Sequence, residues 1–128
     1  MKLLLDTHLL LWAAGQAGRL STVALKLIND DGNQLLFSTA SLWEVATKSN
    51  LGRDDCRIET RLLRRGLIDN GYTELAISSE HAVSIDLLQA LHKDPFDRIL
   101  VSQAMIEGIT LLTTDPQVAQ YPGPIRLV

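Results

Sequence analysis

The chain has 128 residues, of which 12 are basic and 15 acidic, giving a formal net charge of −3 and 46% hydrophobic content. This length predicts one domain, residues 1–128, with a buried core. No run reaches the roughly 18 apolar residues that a membrane-spanning helix needs, and no signal peptide is expected. Cys56 is the only cysteine, which excludes an internal disulfide and a cysteine-rich zinc site and suits a cytoplasmic protein.

Short apolar runs alternate with longer helical patterns along the chain. In chain order the predicted elements are a strand at 2–6, helices at 7–14 and 21–28, a strand at 34–38, helices at 42–49 and 57–68, a strand at 72–77, helices at 79–88 and 96–106, and strands at 110–114 and 125–128. Such alternation predicts parallel strands joined by right-handed crossovers. We therefore expect an α/β fold, a three-layer α/β/α sandwich with a central, mainly parallel sheet.

Four acidic residues lie beside the ends of these apolar runs: Asp6, Glu44, Asp97 and Asp115. In parallel α/β sheets, ligands bind outside the carboxyl ends of the strands, where such residues gather. A cluster of carboxylates repels itself unless a cation neutralises it, and oxygen ligands suit Mg²⁺ or Mn²⁺. The pattern indicates a metal-dependent enzyme that cleaves phosphodiester bonds.

Most of these acids also have a structural interpretation. Ser41 and Glu44 have the spacing of a capping box. Asp94 precedes a proline and is a natural helix N-cap, which would place Asp97 in the first turn, where the helix dipole favours negative charge. Asp115 could cap a short helix in the same way. Capping and metal binding are compatible, because one carboxylate can serve both.

Four segments of the sequence resemble the PIN domain and, more narrowly, the VapC-type toxins of prokaryotic type II toxin–antitoxin pairs. They are Asp-Thr-His at 6–8, Ser-Leu-Trp-Glu-Val-Ala-Thr-Lys at 41–48, His-Lys-Asp-Pro-Phe-Asp-Arg-Ile-Leu at 92–100 and Leu-Thr-Thr-Asp at 112–115. The resemblance spans essentially the whole chain. It implies a Mg²⁺- or Mn²⁺-dependent endoribonuclease acting as the toxin of such a pair.

The resemblance also implies which residues form the site. The catalytic, metal-binding positions are Asp6, Glu44, Asp97 and Asp115. Asp94 is typical of the toxin subgroup, and its role as an additional ligand or only a helix cap stays open. No histidine is assigned to the site, because His8, His81 and His92 do not share the spacing of metal ligands.

Other residues are expected around the acidic cluster. Thr7 and Thr114 are candidates for orienting the carboxylates. Lys48 and Arg98 lie close to the acids in sequence and are candidates for binding RNA. A basic stretch supplies four more cationic residues at helical spacing, namely Arg57, Arg61, Arg64 and Arg65. We expect Arg57 and Arg61 to contact the RNA backbone, although a solvated helix face explains the same spacing.

The resemblance implies two protein partners, a second copy of the chain and an antitoxin whose tail blocks the acidic site. The apolar region around Leu9, Leu10 and Trp12 is expected to be exposed and available for such contacts.

Two other functions fit less well. In an aspartyl-phosphate phosphatase, Asp6 would be the nucleophile, but such enzymes usually carry a second aspartate two positions later, where this chain has His8. A non-catalytic protein-binding module could use Trp12 or Trp43, yet it would not need four acids.

Overall fold

A five-stranded parallel sheet forms the centre of the fold in a computed structural model that describes residues 1–49 and 58–128. The strands are β1 (Lys2–Leu5), β2 (Gln34–Ser38), β3 (Thr73–Leu75), β4 (Thr110–Thr113) and β5 (Ile125–Leu127). Their order is β3-β2-β1-β4-β5, and each neighbouring pair is parallel. The predicted parallel sheet is confirmed.

Helices flank this sheet. They are α1 (Thr7–Gly15), α2 (Thr22–Asn29), α3 (Thr39–Ser49), α4 (Thr60–Asp69), α5 (Ser79–Ser84) and α6 (Pro95–Glu107), with 3₁₀ turns at Ala17–Arg19, Ile85–Leu87 and Val118–Gln120. The predicted α/β/α architecture is therefore confirmed. Within the part of the chain that the structure describes, no helix combines the length and apolar character needed to cross a membrane.

The apolar run of β1 explains why helices cover both faces of the sheet. Leu3 and Leu5 are fully buried in one core cluster, against α1, α2 and α4, whereas Leu4 is buried in a second cluster with residues of α6. Side chains alternate between the faces of a strand, so a continuous apolar run needs a core on each side. Full burial of one such leucine contributes roughly 1.5–3 kcal/mol.

The start of α3 differs from the prediction. The helix begins at Thr39, directly after β2, because the Ser38 hydroxyl accepts a hydrogen bond from the Ala40 N–H at 3.0 Å. Ser41 therefore lies inside the helix, and the predicted capping box with Glu44 is wrong. The earlier start places Glu44 in the second turn, facing the interior.

The α5 region was also predicted imperfectly. Ser78, not Ser79, caps the helix, and its hydroxyl accepts from the His81 N–H at 3.1 Å. The helix ends at Ser84, and a 3₁₀ turn replaces the predicted continuation. By contrast, Gly108 ends α6 as expected, because its φ of 66° is a left-handed conformation that glycine adopts without strain.

The expected exposure of the α1 surface is wrong. Leu9 and Leu10 are each only 1% exposed and belong to the core cluster on the α1 side of the sheet. Trp12 is partly buried, and the guanidinium of Arg19 lies 5.9 Å from the centre of its ring. Leu9 and Leu10 therefore stabilise the fold and offer no surface to a partner, whereas Leu11, Ala13 and Ala14 of the same helix line an open groove with residues of α2 and α4.

Candidate metal centre

Asp6 follows the last residue of β1 and caps α1. Its Oδ1 accepts from the Leu9 N–H at 2.9 Å, and its Oδ2 accepts from the Thr113 hydroxyl at 2.8 Å and the Thr114 N–H at 3.3 Å. The residue is only 5% exposed, and this burial raises the pKa of its carboxyl although the hydrogen bonds oppose the rise. The sequence pattern predicts Asp6 as a metal ligand at the end of a strand and does not predict this capping role.

Glu44 projects from α3 toward the same edge of the sheet and is 4% exposed. The Thr7 hydroxyl donates to its Oε1 at 2.6 Å and also lies 3.0 Å from the Ser41 hydroxyl. The other oxygen, Oε2, forms a short ion pair with Lys48, one turn further along α3. Thr7 and Lys48 together fix the direction of this carboxylate.

Asp97 lies in the first turn of α6, next to Asp94, which is the N-cap and accepts from the Phe96 N–H at 2.9 Å. The pKa of Asp97 is raised to about 7, first by burial and then by the negative charges of Asp94 and Glu44, with a smaller effect of Asp6. Charges act on one another this strongly only at short range. The acids of β1, α3 and α6 therefore share one electrostatic environment.

Asp115 joins this environment through a histidine. The Nε2 atom of His92 lies 3.1 Å from Asp97 Oδ2 and 3.1 Å from Asp115 Oδ2. Asp115 also caps the turn that follows it, since its Oδ1 accepts from the Gln117 N–H at 2.9 Å. Three possible ligand atoms, one each from His92, Asp97 and Asp115, lie within 4.8 Å of one another. This is close enough to surround a metal ion.

The spacing between the three histidines does not predict a role for His92 in the site. The spacing between His92 and Asp97 does indicate such a role. The two residues are five positions apart, one before the start of α6 and one in its first turn, so both side chains can reach one point.

The threonine beside Asp6 differs from the one expected. Thr114 contributes its backbone N–H to Asp6, but the hydroxyl that donates to the carboxylate belongs to Thr113. The Thr113 hydroxyl also accepts from the Asp115 N–H at 3.0 Å. The parallel register explains this, because β4 pairs Leu112 with Leu5 and so places Thr113 beside Asp6.

Arg98 was expected at the RNA phosphate, but its guanidinium donates to groups of the protein. Its contacts are the carbonyl oxygens of Ile85, Gln89 and His92 and the Tyr121 hydroxyl, at 3.1–3.4 Å. These contacts tie the segment before α6 to the helix, which gives Arg98 a role in positioning His92.

The other basic residues lie in different settings. On α4, Arg61, Arg64 and Arg65 are exposed, and Arg64 pairs with Glu74 at 2.8 Å. Arg57 lies outside the described residues, as does Cys56.

The donor set fits a hard divalent cation. Carboxylate oxygens are the ligands that Mg²⁺ and Mn²⁺ prefer, and each carboxylate keeps at least one lone pair beyond those used in the hydrogen bonds above. Burial raises the pKa of Asp97 most, and the neighbouring carboxylates of Asp94 and Glu44 raise it further, so its negative charge is both poorly hydrated and repelled. A bound cation would relieve this repulsion.

Comparisons with known proteins give a family and two similar structures. The sequence model of the PIN domain matches residues 3–124. The structure of VapBC2 from Rickettsia felis bound to a DNA fragment from its promoter superimposes with a TM-score of 0.71 at 16% identity, covering 99% of this chain and 98% of that one. The DNA-bound VapBC from Salmonella typhimurium gives 0.70 at 14% identity, covering 98% and 97%. No curated protein matches the sequence.

Proposed function

This chain belongs to the PIN domain family, and from that premise we propose that it is a Mg²⁺- or Mn²⁺-dependent endoribonuclease, the toxin of a type II toxin–antitoxin pair. The observation that carries the proposal is the group of acids at the carboxyl edge of the sheet, where Asp6 and Glu44 are buried and Asp97 and Asp115 approach each other within 4.8 Å. Burial and the neighbouring carboxylates also raise the pKa of Asp97. Such strong perturbation in a group of acids is typical of a functional site. The likeness to two VapBC structures supports the toxin assignment.

The residues have distinct roles in this proposal. Asp6, Glu44, Asp97 and Asp115 hold the cation, with Asp94 as the helix cap beside them. A bound divalent ion lowers the pKa of a water and offsets the charge that develops on the phosphate oxygens. Thr7 and Thr113 orient Glu44 and Asp6, whose burial keeps bulk water from their carboxylates.

Lys48 occupies a position between these acids and solvent. It pairs with Glu44 while its side chain is 57% exposed, and the negative charges of Asp94 and Asp97 also act on it. We assign it a contact with the RNA phosphate, because an exposed ammonium at the edge of the cluster lies where the anionic substrate arrives.

The proposed partners are RNA, a cognate antitoxin and a second copy of the chain, and the RNA substrate places the activity in the cytoplasm. Large apolar side chains are exposed along the segment from α5 to α6, with Val83 at 67%, Leu87 at 82% and Leu91 at 38%. Apolar side chains grouped in this way are typical of an interface between proteins. We assign this segment to the homodimer.

The test is cleavage of single-stranded RNA by the purified chain. Mn²⁺ or Mg²⁺ should support cleavage, and EDTA should stop it. Asp6→Asn and Asp97→Asn should abolish cleavage and keep the fold, since asparagine can still cap α1. The control is Asp31→Asn, which removes the same charge from an exposed turn before β2. Cleavage at the wild-type rate by Asp6→Asn or Asp97→Asn would refute the assignment.

A further inference from the structure

His92 is held in place by its backbone as well as by its ring. Its N–H donates to the Tyr121 hydroxyl at 3.0 Å, and its carbonyl oxygen accepts from Arg98 at 3.4 Å. Arg98 also donates to the carbonyl oxygens of Ile85 and Gln89, so the whole segment before α6 is anchored to one guanidinium. The ring of His92 consequently enters the acidic cluster from a fixed direction.

The hydrogen bond at Nδ1 decides which nitrogen carries the proton. Nδ1 of His92 lies 3.2 Å from the Asp94 N–H, which can only donate. A ring nitrogen that accepts a hydrogen bond has no proton of its own, so in the neutral ring the proton is on Nε2. That Nε2–H faces Asp97 Oδ2 and Asp115 Oδ2, each 3.1 Å away.

The same tautomer argues against His92 as a metal ligand. Binding a cation through Nε2 requires the Nε2 lone pair, which moves the proton to Nδ1. The Asp94 N–H would then face another N–H, and a partly buried hydrogen bond at the start of α6 would be lost. The ring fits the site as a donor to carboxylates and not as a fourth ligand.

His81 shows the same arrangement away from the acidic cluster. Its Nδ1 accepts from the Ser78 N–H at 3.0 Å, and its Nε2 lies 3.0 Å from Glu107 Oε2. This second histidine is 1% exposed and gives an internal reference for the tautomer.

We propose that His92 is a positioning residue whose Nε2–H holds the Asp97 and Asp115 carboxylates together for an all-oxygen metal site, and that it does not bind the metal. The metal-binding and cleavage measurements below rest on the proposed function. The tautomer itself is a property of the metal-free chain. Groups beyond the direct ligands that orient them in this way typically change metal affinity or activity about 10- to 100-fold when removed.

The first experiment is nuclear magnetic resonance of the full metal-free chain labelled with ¹⁵N at histidine. Long-range ¹H–¹⁵N correlations, recorded at a pH at which the imidazole rings are neutral, should show the proton of His92 on Nε2, as for His81, whereas exposed His8 should show both tautomers in exchange. The His92→Gln variant assigns the signals. A proton on Nδ1 of His92 would overturn the proposal, and this result does not depend on RNA cleavage.

The second experiment measures electron spin echo modulation of Mn²⁺ bound to the protein. We expect no coupling to an imidazole ¹⁴N, and the same spectrum from the wild type and from His92→Gln. An imidazole coupling that disappears in His92→Gln would identify His92 as a ligand and overturn the proposal. Failure of Mn²⁺ to bind the wild type would count against the proposed function, and the tautomer measurement would still decide the role of His92.

The third experiment compares two substitutions with different donor capacity. Gln keeps an N–H donor near the position of Nε2, whereas Leu has none, so His92→Leu should lower Mn²⁺ affinity and cleavage about 10- to 100-fold and His92→Gln only a few-fold. Equal losses in the Gln and Leu variants, or no loss in either, would contradict the donor role.

Discussion

Thr113 donates its hydroxyl proton to Asp6 Oδ2 over 2.8 Å, which joins β4 to the end of β1 across 107 positions of sequence. The same hydroxyl accepts from the Asp115 N–H at 3.0 Å. One side chain thus orients the first acid of the site and fixes the backbone at the last.

Thr113→Val should therefore reduce both the stability of the fold and the affinity for metal, although the two side chains have nearly the same size. The variant leaves the buried Asp6 carboxylate with one donor fewer, so we expect a loss of about 1–3 kcal/mol in the free energy of unfolding and weaker Mn²⁺ binding. Thr113→Ser should restore both. Thr114→Val is the control, because the Thr114 contact to Asp6 uses the backbone N–H. Urea denaturation and Mn²⁺ titration provide the measurements, and equal effects at the two positions would contradict this assignment.

Asp97→Asn should stabilise the metal-free protein, and the gain should depend on pH. The folded pKa of about 7 lies above the ordinary 3.8, so the folded state binds the proton more tightly and wild-type stability falls as pH rises from about 4 to 7. The variant does not lose stability in this way, so above pH 7 its free energy of unfolding should exceed that of the wild type by roughly 4 kcal/mol at most. Urea denaturation in EDTA at pH 5 and 8 measures it, with Asp31→Asn as control. A gain that is larger at pH 5 than at pH 8 would show that the sign is wrong.

Asp94→Asn should be milder than Asp97→Asn in RNA cleavage. Asparagine can accept from the Phe96 N–H as Asp94 does, so α6 keeps its cap. Asp94→Ala loses the cap and should cost about 1 kcal/mol in the free energy of unfolding. Loss of cleavage in Asp94→Asn comparable with that in Asp97→Asn would instead make Asp94 a metal ligand.

Arg61→Glu should weaken RNA binding if α4 contacts the RNA backbone. Affinity measured in Ca²⁺, which suppresses cleavage, should fall, and its dependence on salt should become less steep because fewer counterions are released. Lys26→Glu reverses an exposed charge on α2 and is the control. Unchanged RNA affinity together with weaker antitoxin binding would assign the surface to the protein partner.

Leu87→Lys should convert the proposed homodimer into a monomer. The side chain is 82% exposed in the single chain, and burying an ammonium in an apolar interface is costly. Light scattering at micromolar concentration should show a dimer for the wild type and for Val23→Lys, a control at an exposed position on α2. A monomeric wild type would count against the dimer.

Much of the site could be read from residue types next to strand and helix boundaries. Asp6 ends an apolar run, and Asp94 precedes the proline that begins α6, so both positions follow from local rules. The predicted capping box failed because Ser38 started α3 three residues earlier than expected. Ser38 and Ser41 are both possible N-caps, and the burial of β2 and α3 decides that the helix begins after Ser38.

The sequence by itself determined the alternation of strands and helices, the parallel sheet and the acids expected at its edge, since these depend on local hydrophobic patterns. Only the tertiary structure decided which neighbours orient those acids. Whether Thr113 or Thr114 faces Asp6 depends on the register between β1 and β4, and one residue of shift would reverse it. His92 reaches Asp97 and Asp115 because Arg98 and Tyr121 hold its segment against α6. Thr113 lies 107 positions from Asp6, and Tyr121 and Asp115 lie 29 and 23 positions from His92, so no local pattern encodes these contacts.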